Sequence, residues 1–525
     1  MAVKRSRFQP PTQPSPVEPT IYRTLEPTAG INQAQPPEHL KPNEAWDMLN
    51  YTPDSRFLRV RSGATKIGSV STAFANHTYF QTFAPYQKQH ESSQEWVIGF
   101  SNGSVAASRA TGIDCAWISA QSSSNDVLSA ATTAFYDTAQ VFDSDLGVNI
   151  LIVTDGVNEP AKVRIDNELV TVTSLANGSS WTGNFEDRPR FCTGFDDRAI
   201  LFSDRSSGNV LFWSDRGRPL YWGGELGSVA GQETLRAMRG RGAGLANDDD
   251  RFYILSDQEV WQGVPRRDFF AFDFDKIVGD GCGYPASVVE TPRGVCYVSS
   301  DMRVHLAHAG NVVYVGEKVL PILQSESADT WALKATYDAQ ENAYALFYST
   351  TAGAYANRCL KLNLSTLAWY KHSSTSETWT GVGQTPLSSG THRRGLIYGG
   401  SDGSAYAFHS QQSTDVGRNI NAIYETPAIN TDYRGTLAPM EAWVEHESTA
   451  TSAFTVVYST NKFSQTSETF GGVVLPSTFT DSNFIPGTGP ASKHPQFRFQ
   501  QTNNVASKWG RVHLALRPYS GRWPG

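Results

Sequence analysis

Charge is scarce in this 525-residue chain, at 18% of residues, and no apolar run approaches the length of a membrane-spanning helix, about 18 residues. Cysteines are few as well. Cys115, Cys192, Cys282, Cys296 and Cys359 are odd in number and widely spaced, with no Cys-x-x-Cys pair. That pattern argues against a disulfide framework and for reduced, buried thiols of a protein made in a cytosol. Behind Lys4, Arg5 and Arg7 there is no apolar stretch, so no secretory signal is expected. A net charge of −7 argues against a large basic surface for tight nucleic-acid binding. No phosphate-binding loop, dinucleotide fingerprint, HExxH, GxSxG or EF-hand loop is present, and no cofactor or metal is expected.

What the chain does hold is turn formers and aromatics: 44 glycines, 13 tryptophans, 21 tyrosines and 27 phenylalanines. This mix suits many short strands joined by tight turns. Residues 1–42 carry nine of the 27 prolines and read as an extended arm. Further on, a β-type run ending in Ser or Thr, mostly with Asn or Asp behind it, recurs at positions 101, 154, 203, 256, 300, 349 and 401. The spacing is 44 to 53 residues, about 50 on average. Such a period, with two to four strands per unit, predicts the blades of a β-propeller, about seven of them. Asn102, Asp155, Asp204, Asp257, Asp301 and Asp402 are then turn residues of successive blades.

Clean alternation at Met440–Glu445, Phe454–Tyr458, Gln496–Phe499 and Arg511–Arg517 predicts a separate β-sandwich-like domain. The expected organisation is an all-β chain. It has a Pro-rich arm (1–42), an N-terminal motif with leading strands (43–80), a propeller (81–417) and a C-terminal β-sandwich-like domain (418–525). A helix is expected only over 42–50, where Pro42 and Asn43 offer a start.

Sites with chemistry are sparse. Asp196/Asp197, Asp248–Asp250 and Asp273/Asp275 are paired carboxylates of the kind glycosidases use, although adjacent aspartates in turns are more often solvated turn formers. Ser214–Trp222 is similar to a sialidase Asp-box but lacks the residue between Ser and Asp. His305 and His308 fall on opposite faces of a strand and cannot share a metal. Arg236, Arg239 and Arg241, with glycines between, form the sharpest basic cluster and are the candidates for phosphate contact. A solvated loop, or pairing with Asp248–Asp250, is the plainer expectation for them.

Gly30-Ile-Asn32, Leu40, Glu44-Ala45, Asn50 and Phe57-Leu-Arg59-Val-Arg61-Ser-Gly63 together resemble the opening of bacteriophage tail nozzle proteins, the tail tubular protein B type, and of related packaged-DNA stabilisation propellers. Val210-Leu-Phe-Trp-Ser-Asp-Arg-Gly-Arg-Pro-Leu-Tyr-Trp222, Phe252–Trp261 and Gly281–Asp301 resemble later segments of the family in the same order. Met302 stands where the family has Gly, and the Gly usual before Leu58 is missing. The resemblance spans roughly residues 30–410. It implies a non-enzymatic virion protein, made in the host cytoplasm and carried in the tail. Such a protein is a homo-oligomeric ring, typically of six copies. It sits below an adaptor or portal-complex protein and beside fibre or spike proteins, retaining double-stranded DNA and later passing it non-specifically. An acidic or neutral chain suits such a conduit, since a Lys/Arg-rich lining would grip phosphate. The alternative expectation is a glycosidase or glycan-binding tail-tip propeller, with Trp222, Trp261 and Trp379 as exposed stacking platforms.

Overall fold

A computed structural model describes residues 21–519, except 27, 54–56, 70–78, 89–94, 102–103, 110–116, 120–127, 129–134, 167–168, 176–187, 204–208, 224–227, 267–270, 375–376, 385–394, 410–412, 430–435, 449–451, 460–466, 476–479, 487–491, 493 and 504–506. The Pro-rich arm up to residue 20, Asn102, Cys115 and Asp204 therefore lie outside the described residues.

Seven four-stranded antiparallel sheets follow one another along the chain. Blades 1 to 6 span residues 82–119, 137–174, 191–234, 242–277, 289–314 and 329–373. Blade 7 takes three strands from 379–409 and its outer strand, Gly63–Ser69, from far upstream. The torus is also locked at its centre, where the first strands of blades 7 and 1 pair in parallel at Val382 and Thr82. Joining early and late segments in this way spreads closure over both ends of the domain.

The recurring Ser/Thr motif has a single structural meaning. In all seven blades it marks the connection between the second and third strands. Asp155 Oδ1 accepts from the Val157 and Asn158 amides at 2.8 and 2.7 Å, and Asp402 accepts from Ser404 N and Tyr406 OH at 3.0 and 2.7 Å. Such side-chain-to-backbone bonds hold a turn locally, which makes the period readable despite weak identity. Second strands such as Val148–Thr154 and Ala343–Ser349 are buried along their whole length, because blades cover both faces. Between every neighbouring pair of blades lies one apolar cluster; Phe195, Phe252 and Phe272 fill the space between blades 3 and 4. The described cysteines, 192, 282, 296 and 359, are buried and free.

Downstream of the torus, two sheets enclose a shared core of Tyr424, Phe497, Phe499, Trp509, Val512, Leu514 and Leu516. Tyr424 and Trp509, from opposite sheets, meet edge to face at 5.2 Å. This sandwich is continuous with the propeller. The fourth strand of blade 6, Trp369–Ser373, pairs with Asp47–Leu49, which pairs in turn with Arg418–Glu425. Ile21–Leu25, from the amino-terminal side, pairs with Ser507–Tyr519.

The helix expected over 42–50 is absent. Asp47–Leu49 is a strand, held on both sides by backbone pairing that outweighs its weak helical pattern. The α-helix among the described residues is instead Leu320–Glu326, entered through Pro321.

Candidate functional site

The N-terminal motif residues gather at the junction of torus and sandwich. Gly30 has φ near +75°, and a Cβ there would overlap the Trp369 carbonyl oxygen. Gly63 has a comparable constraint against Thr414. Asn32 donates to Glu44 Oε1 at 3.0 Å, and Glu44 pairs with Lys318 at 3.0 Å. Asn50, in the left-handed region at φ 59°, donates to Ser373 Oγ and the Asn421 carbonyl at 2.9 and 2.7 Å. Its Oδ1 accepts from Arg61 Nε at 2.9 Å. Arg61, 2% exposed, completes the knot through a bidentate pair with Asp415, its Nη1 donating to Oδ1 at 2.8 Å and its Nη2 to Oδ2. Nη2 also donates to the Ser373 carbonyl at 2.8 Å. Every planar donor edge of Arg61 is thus used, a geometry lysine does not reproduce. A second buried group stands beside it: Lys361 bonds Asp338 and Glu341, each at 2.7 Å. Burial alone would raise the Glu341 carboxyl, but Lys361 and its neighbours hold it well below the usual range.

A different site lies on the propeller axis. There a cavity of about 510 Å³ is lined by the first strands of all seven blades. Apart from the parallel pairing of blades 7 and 1 at Val382 and Thr82, a blade's first strand has no strand partner on its inner side, so its N–H and C=O groups face the channel like those of any sheet edge. Charged side chains satisfy them. Asp137, from blade 2, accepts from Thr138 N at 3.0 Å and from Cys192 N of blade 3 at 2.9 Å. Glu290, from blade 5, accepts at Oε1 from Thr193 Oγ1 of blade 3 at 2.7 Å and from Asn247 N of blade 4 at 2.8 Å. Lys334, from blade 6, donates to the carbonyls of Gln81 and Thr380 at 3.3 and 2.6 Å. Burial, with Glu290 nearby, pushes the Asp137 carboxyl up to about 7 despite its two amide bonds. Desolvation by the enclosing walls likewise raises Glu290, though its side chain faces the cavity, and lowers Lys334 to about 8.

The residues singled out in sequence fall elsewhere. Asp196 and Asp197 form a hairpin turn with positive φ and face Arg198 and Arg216. Asp248, near the channel, is taken up by His308 and Tyr253, and Asp250 pairs with Arg251. Asp273 and Asp275 sit on the outer strand of blade 4, where Asp273 pairs with Arg266. His305 is buried near Asp280, whereas His308 faces Asp248. Asp257 and Asp301 occupy blade turns, Asp257 accepting from Arg241 N and Asp301 from Ser299 Oγ. Arg236, Arg239 and Arg241 are exposed on the connection from blade 3 to blade 4, on the face that carries the Ser/Asp turns. The acidic run Asp248–Asp250 is not their partner. Arg239 lies 3.9 Å from Glu259 instead. Two of the three proposed stacking platforms are interior: Trp222 and Trp379 are 1% and 2% exposed and fill interblade cores. Trp261 is half-buried and donates to Glu259.

Asp137, Glu290 and Lys334 escaped sequence reasoning because they come from three blades, with no motif around any of them. What they share is position in the fold alone: each lies on the first strand of its blade.

No family model matches the chain, and no curated protein matches it. Among solved structures, it is similar to PorZ, a surface component of the type-IX secretion system of Porphyromonas gingivalis, at 12% identity and TM-score 0.32, over 66% of this chain and 43% of that one. It is similar to the extracellular domain of BT4673 from B. thetaiotaomicron at 9% identity and TM-score 0.40, over 89% of this chain and 62% of that one. A glycoside hydrolase family 43 arabinoxylan arabinofuranohydrolase from Bacillus subtilis matches at 11% identity and TM-score 0.25, over 94% and 99%. The chain thus spans less than two thirds of the first two. Likenesses this distant lend this chain no activity, substrate or partner.

Proposed function

We propose that the chain is a non-enzymatic structural protein of a short bacteriophage tail, of the nozzle type. In this reading several copies form a ring at the distal tail, beneath an adaptor and beside fibres, retaining packaged DNA and conducting it at ejection. One observation carries the reading. The residues that bear the nozzle resemblance stand where torus meets sandwich: Asn50 and Arg61 bond to both sides, Gly30 and Gly63 allow close approach, and Asn32 and Glu44 brace the segment between them. A motif with that duty belongs to architecture and not to turnover, which suits a part that bears load. The exposed Arg236, Arg239 and Arg241 are the DNA-contact candidates within it. Gold-labelled antibody on intact virions tests the assignment: label in symmetric rings at the tail tip is expected. Label on side fibres, or its absence from virions, defeats it.

A second reading, a glycan-binding propeller, is favoured by the polar axial cavity with Phe135 and Tyr337 in its wall. Its enzymatic version has less support, since the axial carboxyls of Asp137 and Glu290 each accept from a backbone amide of a neighbouring blade. Polysaccharide cleavage lost in both Asp137→Asn and Glu290→Gln would restore the enzyme; a glycan array with no bound sugar would remove the second reading altogether.

A further inference from the structure

The axial cavity has a polarity that its bonds leave unneutralised. Taken around the axis, its acidic groups lie on blades 2 to 5: Asp137 on blade 2 bonds Cys192 on 3, Glu290 on 5 bonds Thr193 and Asn247, and Asp248 and Asp249 stand at blade 4, Asp248 held by Tyr253 and His308. Lys334 and its two carbonyls occupy blades 6, 7 and 1. Charges of opposite sign therefore face each other from the two halves of one small chamber. They are not paired. Among the described residues no carboxylate lies within ion-pair distance of Lys334, and no cation lies within that distance of Asp137 or Glu290. Each half also keeps an unused valence. Both bonds to the Glu290 carboxylate reach Oε1, leaving Oε2 free to accept. Two of the three ammonium hydrogens of Lys334 are committed, leaving one. Phe83, Phe135 and Tyr337 supply apolar wall between the halves.

We propose that this chamber is a binding site for a small zwitterion of amino-acid to dipeptide size, its ammonium at Glu290 and Asp137 and its carboxylate at Lys334. A neutral sugar satisfies the hydrogen bonds but leaves both charges uncompensated, and a simple cation leaves the lysine alone. A ligand with both charges completes the two halves together, in a setting where charge-assisted bonds are strong. The shifts of Asp137 and Glu290 upward and of Lys334 downward agree, since desolvation dominates in each and the Arg190 charge only partly offsets it at Asp137. The inference does not depend on whether the torus belongs to a tail.

Titration calorimetry on the full chain with L-norvaline and glycylglycine tests it, with propylamine, butyrate and methyl glucoside as controls. Binding of at least one zwitterion is expected, weakened about tenfold by either Glu290→Gln or Lys334→Met, the loss of one charge-assisted bond. Propylamine should respond only to the first substitution and butyrate only to the second. A second measurement needs no variant: acetylation of Lys334, read by peptide mass spectrometry, should be slowed by the zwitterion and not by the glucoside. Absence of zwitterion binding, binding indifferent to both substitutions, binding of the glucoside alone, or unprotected Lys334 would each overturn the proposal.

Discussion

Two groups of charged side chains, one buried at the junction and one facing the axial cavity, are handled in opposite ways. At the junction every ion has its counter-ion: Arg61 with Asp415, Lys361 with Asp338 and Glu341, Lys371 with Asp47 and Glu326. On the axis, Asp137, Glu290 and Lys334 bond only to uncharged neighbours, most of them backbone groups. The contrast follows from what surrounds them. The junction is dry and packed between a blade and a sandwich, so an unpaired charge there would carry the full desolvation penalty. The channel admits solvent, as the exposed Glu290 shows, so a lone charge is tolerable there. Paired ions therefore mark architecture, and unpaired ones mark a place where something else can bind.

The largest expected effect breaks the junction side. Arg61→Met removes the bidentate cation from buried Asp415 and one donor each from Asn50 Oδ1 and the Ser373 carbonyl. A loss of about 3–5 kcal/mol in denaturant unfolding is expected. The double variant Arg61→Met/Asp415→Leu should recover part of that loss, because no orphaned charge remains. A single variant costing under about 1 kcal/mol would mean the knot is wetter than its burial implies.

The pH dependence of stability sharpens the comparison by its sign. Glu341 is held low, so its contribution is complete at neutral pH and is lost on acidification through and below the ordinary carboxylate range. Asp137 is raised to about 7. Its folded form prefers the proton, so its contribution is complete below about pH 4 and falls away as pH rises toward 7. Lys334, lowered to about 8, prefers the neutral amine. Its penalty persists below pH 8 and is relieved between there and about 10.4. The axis is therefore least comfortable between pH 7 and 8, with both groups ionised. Asp137→Asn should flatten the acid side of that trough and Lys334→Met the alkaline side, each by about 1–2 kcal/mol once channel water is allowed for. Melting temperatures across pH 5 to 10 would show it; a curve unchanged in both variants would remove the distinction between axis and junction.

How much of this was readable beforehand depends on whether the governing contact is local. The blade repeat was legible because Asp155 and Asp402 hold turns through residues within four positions of themselves. Alternation at Val512, Leu514 and Leu516 was legible for the same reason: one strand, one buried face. The roles of Asn50 and Arg61 were not, since their partners lie more than 300 residues away at Ser373 and Asp415. Asp47–Leu49 misled because pairing with distant strands overrode its local preference. The axial trio had no sequence signature at all, because a chamber built from seven edges puts each of its charged groups in a different repeat.

The smallest expected effect concerns charge that is neither paired nor confined. Arg236, Arg239 and Arg241 project from an interblade connection, and the Arg239 side chain is 81% exposed beside Glu259. The loop itself is anchored through its backbone, the Arg241 amide donating to Asp257 Oδ1 at 3.0 Å and its carbonyl accepting from Asp257 N at 2.9 Å. Replacing all three side chains by alanine leaves those anchors intact, so stability should move by no more than about 0.5 kcal/mol. If the arginines meet DNA, the same triple variant should lower the salt dependence of double-stranded DNA binding, by up to about three in log–log slope. A fluorescence titration over increasing salt separates the outcomes. An unchanged slope with unchanged stability would make these arginines plain solvated surface, and would leave retention of DNA, in a nozzle, to the shape of the ring.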